Sequence, residues 1–127
     1  MKLIRWIPAL LWTGLIAFLT LIPHIGVTPP AWIDRLHPDK IVHFILFSVL
    51  SLLILVGFGI AAYRSSHMIP ILVFILIPAY GALIEVAQGL FTVTRHPEFM
   101  DFVADTIGVL AGWLAFLVLT RKKRLSA

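Results

Sequence analysis

Residues 41–62 read IVHFILFSVLSLLILVGFGIAA, an unbroken apolar stretch without Asp, Glu, Lys or Arg. A helix of about 20 apolar residues crosses the roughly 30 Å hydrocarbon core of a bilayer. Three further stretches, at about residues 4–22, 68–89 and 102–120, are also predominantly apolar and contain one charged residue each: Arg5, Glu85 and Asp105. In lipid the backbone must satisfy its own hydrogen bonds, and the stretches lack the two-residue alternation of a β-barrel. We therefore predict an all-α, polytopic membrane protein with four transmembrane helices, forming a single integral membrane domain over residues 1–127.

The composition agrees with this class. The chain is 61% hydrophobic and 13% charged, and its mean hydropathy is +1.04. Soluble domains are typically about 45–50% apolar and about 25% charged, so an ordinary soluble protein is excluded. The absence of cysteine excludes disulfides, thiolate metal sites and cysteine nucleophiles. In such a protein a net charge of +4 points to topology and lipid contact, so we expect membrane lipids as partners and no nucleic acid.

The distribution of basic residues predicts the orientation. With four spans, both termini and the middle loop share one side, which carries seven of the ten basic residues: Lys2, Arg5, Arg64, Arg121, Lys122, Lys123 and Arg124. The opposite side carries Arg35, Lys40 and Arg95. The positive-inside rule therefore places both termini in the cytoplasm. The outer loop between the first two helices contains Pro29-Pro30 and Trp32, which predict a short segment lying at the membrane interface.

A first polar motif, Asp39-Lys40-x-x-His43, opens the second predicted helix on the outer side. Asp39 and His43 are four residues apart and therefore share a helix face. Asp39 also follows Pro38, at a position where a helix N-cap is expected. A cap plus an interfacial histidine is the alternative to a functional role for this motif.

A second motif, Gly81-x-x-x-Glu85-x-x-Gln88, lies near the outer end of the third predicted helix. These residues form one stripe, and the small residue lets a neighbouring helix approach, so Glu85 and Gln88 should point into the bundle. Charged residues in membrane spans are costly and usually functional. For Glu85 we favour a functional role, and for Gln88 alone we favour an interhelical hydrogen bond.

A third motif, Asp101-x-x-x-Asp105-x-x-Gly108-x-x-x-Gly112, forms one stripe of the fourth predicted helix. The two glycines suit close helix packing, and the two acids lie near a helix N-terminus, where negative charge is favourable. Arg95, in the preceding loop, is the natural counter-charge and can grip a carboxylate or an external phosphate.

Acids gathered in this way require cations. Arg95, Lys40 and a protonated His43 can supply the positive charge, and a hard divalent cation is the alternative. No compact ligand spacing such as His-Glu-x-x-His is present. We therefore predict no metal ligands and no cofactor, with a divalent cation left open.

Taken in order along the chain, these motifs resemble the VanZ-like family of small bacterial membrane proteins. The residues that carry the resemblance are Asp39-Lys40-x-x-His43-Phe44, Glu85-x-x-Gln88, Arg95, Asp101 and Asp105-x-x-Gly108-x-x-x-Gly112. The family often has Asn where this chain has Asp105, which adds a possible negative charge. The resemblance implies a bacterial inner (plasma) membrane location and a cell-envelope role, since the family's named member is associated with teicoplanin resistance.

Three functions remain open. The first is an outer-leaflet site that binds a lipid headgroup, a cell-wall precursor or a glycopeptide antibiotic, and its expected ligand-binding residues are Asp39, Lys40, His43, Glu85, Gln88, Arg95, Asp101 and Asp105. The second is a membrane enzyme acting on a lipid-linked phosphate substrate, with Glu85 or Asp105 as general base and His43 as proton shuttle. The third is a small transporter or a structural bundle packed through Gly81, Gly108 and Gly112, and an oligomer would suit a transport role.

Overall fold

The computed structural model describes residues 3–22, 37–91 and 98–125. A short 3-10 turn, Leu3–Trp6, leads into helix α1, Ile7–Leu21. Three longer helices follow: α2 is Pro38–Ser65, α3 is Met68–Phe91 and α4 is Phe99–Leu125. Four helical segments are long and apolar enough to cross a membrane, and the described ranges contain no strand. This confirms the predicted all-α, multi-pass class. The predicted interfacial segment and Arg95 fall outside the described residues.

Helices α2 and α4 form the most extensive contact in the bundle. The contact is close because two glycines of α4 lie directly against the backbone of α2. A methyl group added at Gly108 would lie 2.6 Å from the Phe44 carbonyl oxygen, and one added at Gly112 would collide with the Ser48 carbonyl oxygen. The Ser51 hydroxyl donates across the same interface to the Val109 carbonyl, at 3.0 Å. Small residues at this face therefore set the distance between the two helices.

The apolar core occupies the middle of the bundle. Its fully buried side chains include Ile16 of α1, Phe47, Leu50 and Leu55 of α2, and Val109 of α4. Large apolar side chains also cover the outside of all four helices, as expected for surfaces that face lipid. Two hydrogen bonds attach α1 to this core: the Trp12 indole donates to the Leu46 carbonyl at 2.9 Å, and the Tyr80 hydroxyl donates to the Thr13 carbonyl at 2.8 Å.

Helix α2 has two local features that the sequence analysis did not predict. Its N-cap is His37, which has a left-handed backbone with φ 46°, and Pro38 is the first helical residue. The expectation that Asp39 is the N-cap is therefore wrong, because the chain enters the helix two residues earlier. Near its other end, α2 is kinked at Gly59, whose φ of 82° and ψ of 159° suit glycine and few other residues.

Candidate functional site

The predicted motifs meet at one end of the bundle, where α2 and α4 begin and α3 ends. Their titratable side chains form what we call the polar cluster: Asp39, Lys40, His43, Glu85, Glu98, Asp101 and Asp105. The cluster is assembled from three helices because α2 and α4 run in the same direction and pack against each other, while α3 runs in the opposite direction and ends beside their first turns. Glu98 was not among the expected site residues. The sequence feature that could have identified Glu98 as a site residue is its position three residues before Asp101.

Lys40 holds the outer part of the polar cluster together. Its ammonium nitrogen lies 2.5 Å from Glu98 Oε2, 3.1 Å from Asp101 Oδ1 and 3.3 Å from Asp39 Oδ2. The Asp101 side chain is 10% exposed, whereas those of Asp39 and Glu98 are about half exposed, at 46% and 55%. Lys40 therefore joins α2 to the start of α4, and Asp101 is its one buried partner among these three acids.

His43 and Asp105 form the inner part of the polar cluster. His43 Nδ1 lies 2.9 Å from Asp105 Oδ1, and both side chains are buried, at 4% and 0% exposure. A neutral or protonated imidazole can donate its Nδ1–H to this carboxylate. The Phe47 ring, one turn along α2, lies parallel to the imidazole with ring centres 6.3 Å apart. The carboxylate thus fixes the orientation of His43 and leaves Nε2 as its second functional atom.

Glu85 enters the polar cluster from α3. Its Oε2 accepts a hydrogen bond from the backbone N–H of Glu98, at 3.0 Å, so it also stabilises the start of α4. Its other oxygen, Oε1, is buried and has no hydrogen-bond partner among the described residues, and the same is true of Asp105 Oδ2. A buried polar atom without a partner costs about 1–3 kcal/mol. The polar cluster therefore contains two acceptor oxygens whose bonding is incomplete.

Gly81 makes room for the Asp105 carboxylate. A methyl group added at Gly81 would collide with Asp105 Oδ2 and would lie 3.2 Å from the Phe47 ring. Any larger residue at position 81 would therefore displace the carboxylate that orients His43. The glycine predicted to pack helices here also shapes the polar cluster.

Gln88 and Arg95 stand apart from the other expected ligand-binding residues. The Gln88 side-chain amide is buried and donates to the Thr20 carbonyl at 2.8 Å, which joins α3 to α1. This bond fits the interhelical role favoured for Gln88 from the sequence. Arg95 lies outside the described residues, and within them Lys40 and His43 are the basic partners of Asp101 and Asp105. The ligand-binding roles of all these residues remain predictions.

The charge balance of the polar cluster is negative. Five carboxylates face one lysine and one histidine, and two buried oxygens of these carboxylates, Glu85 Oε1 and Asp105 Oδ2, have no hydrogen-bond partner among the described residues. Such a site attracts cations and hydrogen-bond donors. A group that brings either one can complete the bonding of Glu85 and Asp105.

Comparison with known proteins identifies the family. The model of the VanZ/LLP1 family matches residues 6–120, which is most of the chain. No match was found among curated proteins or among solved structures. The chain therefore belongs to the VanZ/LLP1 family, and the resemblance noted from its motifs is confirmed.

Proposed function

We propose that this VanZ/LLP1 family member binds the polar part of an amphiphilic cell-envelope molecule at the buried side of its polar cluster, at Glu85 and Asp105. The candidate ligands are a lipid headgroup, a cell-wall precursor or a glycopeptide antibiotic. The observation that carries the proposal is the pair of buried carboxylate oxygens, Glu85 Oε1 and Asp105 Oδ2, that lack partners among the described residues.

A purely structural role explains only part of the polar cluster. The Lys40–Asp101 and His43–Asp105 contacts join α2 to α4 and account for four of the seven side chains as packing elements. They do not account for Glu85 Oε1. An acid with an incomplete bonding set is a poor structural element, since an apolar residue of the same shape would avoid its desolvation cost. A bound ligand gives that oxygen a partner and a function.

The position of the polar cluster suits a ligand that is itself anchored in the membrane. The cluster lies at the ends of three spans, so a headgroup can reach it while the apolar part of the ligand remains in lipid. Glu85 Oε1 and Asp105 Oδ2 are hydrogen-bond acceptors without a partner among the described residues. The groups on the ligand that contact them should therefore be ammonium, hydroxyl or amide donors, or a cation that the ligand brings with it.

The proposal places the polar cluster at the outer face of a bacterial plasma membrane, with both termini in the cytoplasm. The excess of Lys and Arg on the opposite side supports this orientation. The chain has no cysteine, so single substitutions give unambiguous labelling. In intact cells, His96→Cys should react with a membrane-impermeant maleimide, and the control His67→Cys, between α2 and α3, should react only after the membrane is opened. The reverse pattern would contradict the outer-leaflet assignment.

The ligand itself is tested by native mass spectrometry of the full chain purified from bacterial membranes in a mild detergent. Wild type should carry a discrete adduct of several hundred daltons or more, and Glu85→Gln should lose it. The matched control is Glu98→Gln, which removes the same charge from an exposed side chain. It leaves in place the backbone N–H of residue 98 that donates a hydrogen bond to Glu85. A wild-type protein without an adduct, or an adduct that survives equally in Glu85→Gln, would count against the proposal.

One observation favours an enzyme as the second candidate. A histidine that is buried and oriented by a carboxylate, as His43 is by Asp105, is a common arrangement for a general acid or base. The substrate would then be a lipid-linked phosphate, and the adduct would be converted over time. Incubation of the wild type with total envelope lipids should release a new product. If the His43→Ala variant forms no such product under the same conditions, the result would support catalysis over binding.

A further inference from the structure

We infer that His43, Glu85 and Asp101 form a binding site for a divalent transition-metal ion. All three side chains are buried, and each offers one ligand atom within 4.8 Å of the ligand atoms of the other two. The residues come from α2, α3 and α4, so no local spacing in the sequence reveals the site. One imidazole nitrogen and two carboxylates, without cysteine, suit ions such as Zn²⁺ and Mn²⁺.

The second observation that points to a ligand is Glu85 Oε1. Glu85 is 6% exposed, and this oxygen has no hydrogen-bond partner among the described residues. Its other oxygen is already used by the backbone N–H of Glu98, which holds the carboxylate in place. Glu85 therefore keeps one desolvated and unused carboxylate oxygen, in a side chain that offers a ligand atom within 4.8 Å of those of His43 and Asp101.

The contact between His43 and Asp105 is the arrangement that usually supports a metal-binding histidine. Such a histidine commonly donates its other ring N–H to a carboxylate, which fixes the tautomer and raises the basicity of the free nitrogen. Here Asp105 Oδ1 lies 2.9 Å from His43 Nδ1 and accepts its N–H, so Nε2 is the nitrogen available to a metal. Asp105 would thus act as a positioning residue and not as a ligand.

A competing trio lies nearer the surface. Ligand atoms of Asp39, Glu98 and Asp101 are also within 4.8 Å of one another, but two of these residues are exposed. The Lys40 ammonium contacts an oxygen of each of the three. All three acids of the outer trio are therefore already paired with one cation. In the inner trio only Asp101, which belongs to both, contacts Lys40, so the inner trio is the better candidate for a metal.

The geometry requires only small adjustments. Ligand atoms around a tetrahedral zinc are separated by roughly 3.3–3.6 Å, as follows from metal–ligand distances of about 2.0–2.2 Å. The three atoms here lie within 4.8 Å of one another, so they would need to approach one another by about 1.5 Å at most to reach that spacing. The remaining coordination position would accept water or an oxygen of an incoming ligand.

This inference goes beyond the proposed function and does not depend on it, since a metal can satisfy Glu85 without any envelope molecule. With the ion in place, a headgroup would contact the metal and not the bare carboxylates. The two ideas are separable in one mass spectrum, because a metal adds tens of daltons and an amphiphile adds hundreds.

The experiment is equilibrium dialysis of the chelator-treated full chain in mild detergent against Zn²⁺ or Mn²⁺, with metal content read by plasma mass spectrometry. Wild type should bind about one ion per chain, and Glu85→Gln should bind at least about tenfold more weakly. His43→Asn is the sharper variant, because the Asn amide can still donate to Asp105 from the Nδ1 position while Nε2 is absent. The positioning residue is tested by Asp105→Asn, which should weaken binding by about 10–100-fold without abolishing it.

Two controls separate the inner trio from other sites. Glu98→Gln removes an acid of the outer trio, and His67→Ala removes an exposed histidine at the other end of the bundle, so both should bind metal as wild type does. A melting temperature of wild type that rises with Zn²⁺ or Mn²⁺ is a second reading that needs no variant. The inference is overturned if wild type binds no metal saturably, if Glu98→Gln weakens binding as much as Glu85→Gln, or if His43→Asn binds normally.

Discussion

Replacing Gly108 by alanine tests the close contact between α2 and α4. The added methyl group would lie 2.6 Å from the Phe44 carbonyl oxygen and 3.2 Å from the Ser48 nitrogen, where ordinary contact begins near 3.4 Å. Both neighbours are backbone atoms, so the helices must separate by about 0.8 Å at this level. The shift would also lengthen the 3.0 Å hydrogen bond from Ser51 to Val109.

The expected magnitude combines two opposing effects. Forcing extra atoms into a packed interface typically costs about 1–3 kcal/mol, and rigid backbone neighbours favour the upper half of that range. Alanine in place of glycine returns about 0.8–1.0 kcal/mol of helix propensity. The net loss of stability for Gly108→Ala should therefore be about 1–2 kcal/mol.

The matched control is Gly14→Ala in α1, where an added methyl group meets no atom within 4 Å. This variant keeps only the propensity gain and should melt at or slightly above the wild-type temperature. Thermal unfolding of the three proteins, purified in the same mild detergent, gives the comparison. If Gly108→Ala melts as high as Gly14→Ala, the close approach of α2 and α4 has been misread.

Three further predictions concern stability in the same thermal assay. Lys40→Met should cost about 3 kcal/mol, because it leaves the largely buried Asp101 carboxylate without its cation, and a melting temperature equal to that of wild type would show that this ion pair contributes nothing. Ser51→Ala should cost about 1 kcal/mol through loss of its hydrogen bond to the Val109 carbonyl, and no change would mean that the carbonyl finds another donor. Gly59→Ala should cost about 1–3 kcal/mol, because φ of 82° with ψ of 159° is a conformation that alanine rarely adopts, and a neutral result would mean that α2 can straighten there without loss.

The membrane-spanning architecture could be predicted because it depends on long-range composition. Apolar runs near 20 residues leave few alternatives to a helix in lipid, and the stripes on the third and fourth spans follow from the helical repeat alone. Glu85, Asp101 and Asp105 are all buried on the side that these stripes indicated. Helix ends were less predictable. The second helix begins at Pro38 and not near residue 41, because its helical hydrogen bonding extends beyond the apolar stretch into the polar residues that precede it.

The pairings inside the polar cluster could not be predicted, because they depend on the distances between helices. From the sequence, Arg95, Lys40 and His43 were all candidate partners of the acids in this cluster without an assigned pairing. Among the described residues Lys40 reaches Asp101 and His43 reaches Asp105, and Arg95 lies outside them. These two contacts exist because Gly108 and Gly112 bring α2 and α4 together at one particular register. The missing hydrogen-bond partner of Glu85 Oε1 could not be predicted either, because it depends on the relative positions of α2, α3 and α4.

The central claim is that Glu85 is retained for a ligand and not for the fold, and the stability of Glu85→Gln tests it most directly. Glutamine keeps an oxygen for the Glu98 N–H and removes a buried charge that lacks a full set of partners. In ligand-free and metal-free detergent solution, this variant should melt at or above the wild-type temperature, because functional groups commonly reduce stability. A fall equivalent to about 2 kcal/mol or more would contradict the claim, since it would show that the Glu85 carboxylate stabilises the helix bundle itself.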